Sequence, residues 1–206
     1  EKSSNYATTD VTSELLAEIA LLEENDDVEI TILLDQGEYI EMATGNVVDN
    51  LVIGGILAVI VLFLFLRSFR ATFIVGVAIP ISLLFAIILI YLSDITLNII
   101  SLGGLALGIG MLVDNSIVVM ENIFRMKQKG LSNKEAAIKG TSQVASAITA
   151  STLTTISVFI PIMFIEGFIQ EIFMQMALTI TFSLVASLLI ALTLVPSVAS
   201  KVLKDD

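Results

Sequence analysis

Cysteine and histidine are both missing from the 206 residues of the chain. Disulfides, thiolate zinc sites and imidazole chemistry are thereby excluded, although the lack of cysteine identifies no redox compartment. Charge is scarce as well. Only 15% of residues are charged, against about a quarter in soluble domains, while 56% are hydrophobic and the mean hydropathy is +0.95. That is the composition of a membrane protein. Basic residues are rare in the first quarter, where Lys2 alone faces thirteen acidic residues up to Asp49. The net charge of −11 is therefore a property of the head of the chain. Without clustered Lys and Arg there is no electrostatic footprint for nucleic acid, and no nucleic-acid partner is expected. Glu1 to Asp10 is polar and acidic rather than basic and then apolar, so no signal peptide is read there. The abrupt start and end are those expected of a piece of a longer protein.

What is present is apolar and long. A membrane helix needs roughly 17 to 25 apolar residues, and five long runs approach or exceed that, the first, Leu51 to Leu66, being one turn short unless the helix ahead of it supplies the rest. They predict spans over about 47–66, 71–92, 95–120, 143–165 and 171–200. Unpaired backbone groups are not tolerated in hydrocarbon, so each run is expected to be helical. Ahead of them, residues 1–46 read as the tail of an extramembrane α/β unit. Thr9 and Asp10 can cap a helix through Val11 to Glu24, and Val28, Ile30, Ile32 and Leu34 alternate as in a short strand. A further helix is expected from about Glu38 into the first span. The fold class is thus an all-α polytopic membrane protein, 47–204, preceded by a short α/β segment. Between the third and fourth spans, Ser132 and Glu135 have the spacing of a capping box, predicting a short cytoplasmic helix over about 132–140.

Basic residues set the orientation. Arg67 and Arg70 follow the first span, Arg125, Lys127, Lys129, Lys134 and Lys139 the third, and Lys201 and Lys204 the fifth. The intervening turns hold only Asp94, Glu166 and Glu171. The acidic head is therefore expected outside the cytoplasm and the C-terminus inside, in a multi-pass protein of the plasma membrane.

Asp114 lies about two-thirds of the way along the third span. A charged residue at mid-bilayer costs on the order of 2.5 to 3.5 kcal/mol, and such groups usually face a protein interior or a hydrated path and mark function. A carboxyl that exchanges its proton there can carry protons across; alternatively it only bonds a neighbouring helix. Gly104, Gly108 and Gly110 precede it, and the first two form a small-xxx-small contact expected to bring another helix close. Asn115 and Ser116 add neutral hydrogen-bonding groups. Glu121, seven residues on, shares the face of Asp114 and reads either as a proton antenna or as an interfacial cap. In the fourth span Ser146, Thr149, Thr152 and Thr155 recur every three residues, fit either for a hydrated path or for helix-helix bonding. Pro80, Pro161 and Pro196 are expected to kink their helices. No Lys or Arg lies within a span, so a cationic partner for Asp114 must come from elsewhere.

The segment from Gly104 to Ile123, GLALGIGMLVDNSIVVMENI, closely resembles the fourth membrane helix of resistance-nodulation-division (RND) efflux transporters of the hydrophobe/amphiphile branch. FLFLRSFRAT from Phe63, AIPI from Ala78, GLSNKEA from Gly130, FIPIM from Phe159 and LVP from Leu194 extend the likeness in order. The resemblance covers residues 28–204. It implies that the spans are similar to helices two to six in the N-terminal half of a twelve-helix transporter, a transporter and not an enzyme. It further implies proton antiport with no cofactor but the proton motive force, small amphiphilic substrates, lipid surroundings and a homotrimer when full length. Asp114 matches the relay aspartate of the family. Asn115 stands where a second aspartate is usual, and the basic partner belongs to the missing second half. Sterol-sensing or Patched-like proteins, which share five helices and a Gly-xxx-Asp motif (here Gly110 and Asp114), and auxiliary proteins of protein export are the alternatives within the superfamily.

Overall fold

The computed structural model describes residues 8–25, 30–32, 35–66, 68–96 and 98–203. Its elements are α1 (Thr8–Asn25), α2 (Gln36–Leu66), α3 (Phe69–Leu92), α4 (Ile99–Gln128), α5 (Asn133–Ser157), a 3-10 turn (Ile160–Phe164) and α6 (Phe168–Val202). Among the described residues five stretches, Gly37–Leu64, Phe69–Leu92, Ile99–Gln128, Asn133–Ile162 and Phe173–Val202, are long and apolar enough to cross a bilayer. The protein is a multi-pass, all-α membrane protein.

The chain divides into two compact units, Glu1–Asp49 and Asn50–Asp206. In the first, Asp35 caps the start of α2 by accepting from the N–H groups of Gly37 (2.8 Å) and Glu38 (3.2 Å). A Cβ on Gly37 would lie 2.7 Å from Thr12 Cβ, so α1 approaches the backbone there. The expected strand is not formed among the described residues: Ile30, Thr31 and Ile32 are irregular, and Val28 and Leu34 lie outside them. A lone strand has no ladder to join, and alternation by itself cannot hold it extended.

In the second unit α6 is the hub, packed against α3, α4 and α5. Thr179, Ser183, Ser187, Ala191, Val195 and Ala199, four residues apart, are all fully buried. Small side chains let helices approach closely, which matters in lipid because hydrocarbon offers no hydrophobic drive for helix association. The hydroxyls of Thr179 and Ser183 donate to the carbonyls of Gln175 and Thr179, four residues back, so the buried stripe leaves no donor stranded there.

Element ends follow their caps. Asn98 accepts from the N–H groups of Ile100 and Ser101, both 2.9 Å, and the Ser101 hydroxyl accepts from Asn98 N–H at 2.8 Å. This capping box starts α4 at Ile99, later than the predicted 95, and the helix then runs on to Gln128. At α5 the Ser132–Glu135 box forms as the spacing predicts. The hydroxyl and the N–H of Ser132 donate to the Glu135 carboxylate, at 2.9 and 3.3 Å. The helix it starts is not a separate cytoplasmic piece, however. It continues unbroken through Gly140 to Ser157. Gly140 is a contact point rather than a break, since a Cβ there would meet Ile123 Cα at 2.8 Å. Pro80 and Pro196 lie inside continuous helices, whereas Pro161 falls in the 3-10 turn after α5 has ended. Asp94, at φ 52°, turns the chain between α3 and α4 in the left-handed region, which aspartate tolerates better than most residues.

Candidate functional site

Position 114 falls just past the middle of α4. Neighbours in an α-helix point about 100° apart, and here that rotation divides the candidate residues into two sets. Asn115 points inward and Asp114 outward. The Asn115 amide donates to the hydroxyl oxygens of Thr152 on α5 (3.3 Å) and Ser187 on α6 (3.4 Å), so one side chain ties three helices together. Beside it Ser116 is buried.

Asp114 is exposed in this chain, not enclosed by its five spans. Gly110 and Glu121 share that open side, with Leu107, Val118 and Arg125 also exposed along it. A Cβ on Gly110 would meet nothing within 4 Å. Gly104 and Gly108 face the other way. A Cβ on Gly104 would lie 3.0 Å from Met176 O, and one on Gly108 2.6 Å from Ser183 Cβ, which sets both at the α4–α6 crossing. The structure thus brings Gly104 and Gly108 together with α6 and leaves Gly110, Asp114 and Glu121 on an uncovered stripe.

The hydroxyls of the fourth span divide as well. Thr152 is buried and meets Asn115. Thr155, Thr154 and Ser157 donate to the carbonyls of Ser151, Ala150 and Leu153 within their own helix. Ser146 is exposed and Thr149 half-buried.

The sequence model of the AcrB/AcrD/AcrF family matches residues 1–206. The chain belongs to that family. Swarming motility protein SwrC of Bacillus subtilis (strain 168) is 38% identical over 209 residues, covering all of this chain and 20% of the relative. Multidrug resistance protein MdtC of Escherichia coli O139:H28 is 36% identical over 177 residues, covering 86% of this chain and 17% of the relative. MdtC of Pectobacterium carotovorum subsp. carotovorum (strain PC1) is 35% identical over 178 residues. The chain spans about a fifth of the length of these relatives. It is a piece of an RND transporter, as the motif around Asp114 implied.

Within this AcrB/AcrD/AcrF piece, the sequence reading missed several polar ties. Buried Asn122 donates to Gly140 O (2.6 Å) and Gln143 Oε1 (3.2 Å), fixing α4 to α5. Asn98 donates to Gln175 Oε1 (2.6 Å), joining α4 to α6. Asn133 donates to Leu203 O (2.6 Å), joining the first residue of α5 to the end of α6, while its Oδ1 is buried without a partner. One signal was available: Asn98 followed by Ser101 is a cap spacing ahead of an apolar run. Asn122 gave none, because its partner is a backbone carbonyl eighteen residues away.

Proposed function

We propose that the chain is the proton-coupling part of a proton-driven exporter, with Asp114 as the group that takes up and releases the proton. The observation that carries this reading is a carboxylate in mid-span on the one side of α4 that α5 and α6 leave open. An ionisable side chain in hydrocarbon needs a partner or water. The remaining four-fifths of the transporter would supply both, including a basic residue to exchange with Asp114. Loss of water favours the neutral carboxyl and a nearby cation favours the charged one, so movement of that partner would switch Asp114 between forms. Glu121 stands toward the cytoplasmic end of the same stripe, in position to pass protons on. Asn115 cannot ionise and anchors the helix, leaving one carboxylate at this pair of positions.

The full-length transporter, in this reading, lies in the plasma membrane as a trimer, with the acidic head outside, the C-terminus inside, and drugs or other amphiphiles as cargo. Names of relatives that include multidrug resistance support that class of substrate. The test is substrate export by full-length protein carrying Asp114→Asn. Export falls to background while membrane insertion is unchanged; export at wild-type rates sinks the assignment.

A further inference from the structure

α2 and α3 form a groove of about 500 Å³, lined by Val59, Ile60 and Phe63 on one side and by Phe73, Gly76 and Val77 on the other. Its walls are hydrocarbon. The hydroxyl of Thr72, also at the groove, donates 3.0 Å to the carbonyl of Ser68 and is committed within its own helix. A ligand here would be held by dispersion and shape rather than by directional bonds, which suits a hydrocarbon chain better than a hydrogen-bonding solute.

The dimensions agree. From Phe69 to Val77 the groove follows α3 for about 12 Å at 1.5 Å per residue, against about 15 Å for one leaflet of a 30 Å hydrocarbon core. Its Phe69 end carries charge. Phe69 is 80% exposed, its ring 4.5 Å from that of Phe63, and Arg70, next in α3, is exposed at the same end. Basic residues near a lipid surface draw anionic headgroups. In sequence Arg67 adds a second positive charge close by.

We propose that this groove seats one acyl chain of an anionic phospholipid, with Arg70 at the mouth holding the headgroup phosphate. Gly76 keeps the channel open, since a Cβ there would meet Val59 Cγ2 only at 3.7 Å and a longer side chain would extend into the space the lipid takes. The site is independent of the proton-coupling reading.

The test uses full-length transporter in nanodiscs containing phosphatidylglycerol with a photoreactive diazirine on one acyl chain, and mass spectrometry of the labelled peptides. Labels concentrate on 59–63 and 69–77. Phosphatidylcholine with the same chain labels them about fivefold less, the factor that one basic residue near a lipid surface contributes, and Arg70→Gln removes that preference. Gly76→Leu abolishes labelling, whereas Gly54→Leu, at a glycine with nothing within 4 Å, retains it. Equal labelling by both lipids in the wild type would reduce the groove to ordinary lipid-facing surface. No labelling there at all would mean that another helix of the transporter fills it. Either result overturns the proposal, and both are read on the wild type, so neither depends on a variant folding.

Discussion

Asp114 and Asn115 are adjacent in sequence and opposite in circumstance. The amide is tied to residues 37 and 72 positions away, and the carboxylate is left facing outward. Sequence reasoning could pick out Asp114 because an ionisable group within an apolar run is conspicuous on its own. It could not sort the neighbours, because the partners of Asn115 and Asn122 are set by helix packing and no local spacing announces them. Asn122 offers the cleaner measurement. Replacing it with alanine removes bonds to Gly140 and Gln143 and is expected to cost about 0.6 to 1.7 kcal/mol, from the average to the maximum for polar contacts between membrane helices. Glu121→Ala, one position earlier and exposed, should stay within about 0.5 kcal/mol. Reversible unfolding in bilayers distinguishes them, and equal losses would contradict the packing described.

At the scale of elements, apolar runs were legible because hydrocarbon permits little besides helix. Their joints were not. A glycine at 140 after a polar stretch reads as the end of a cytoplasmic helix, yet α5 passes straight through it, and the missing side chain is what lets Ile123 of α4 come close. Glycines within α4 differ in the same way: Gly104 and Gly108 meet α6, while Gly103 and Gly110 face open space. Gly140→Ala is therefore expected to force α4 and α5 apart and lower stability by about 1 to 3 kcal/mol, as overpacking does. Gly103→Ala should leave stability unchanged or raise it by up to about 1 kcal/mol, through helix propensity alone. The same unfolding experiment reads both, and a tolerated Gly140→Ala would show that the crossing is looser than the structure has it.

For the whole molecule, the number of spans and the family were readable from hydropathy and from the motif around Asp114. The surroundings of Asp114 were not, because hydropathy says that an acid lies within an apolar run but not which side of α4 its neighbours leave open. Membrane orientation was argued from loop charge, and the lack of cysteine makes the segment easy to test. In full-length protein freed of other cysteines, Lys129→Cys and Glu166→Cys introduce thiols into loops that should lie on opposite sides. A membrane-impermeant maleimide applied to intact cells should modify the thiol at 166 and spare that at 129, with the reverse in inverted vesicles. Modification of both from one side would refute the arrangement.

The unbroken α5 has a mechanical consequence. Its first residue, Asn133, grips the end of α6 at Leu203, and Thr152, about 28 Å further along at the rise of an α-helix, touches the amide beside Asp114. A helix fastened at both points links them rigidly, so a displacement of the loop after α4 would be carried along α5 to the amide beside Asp114.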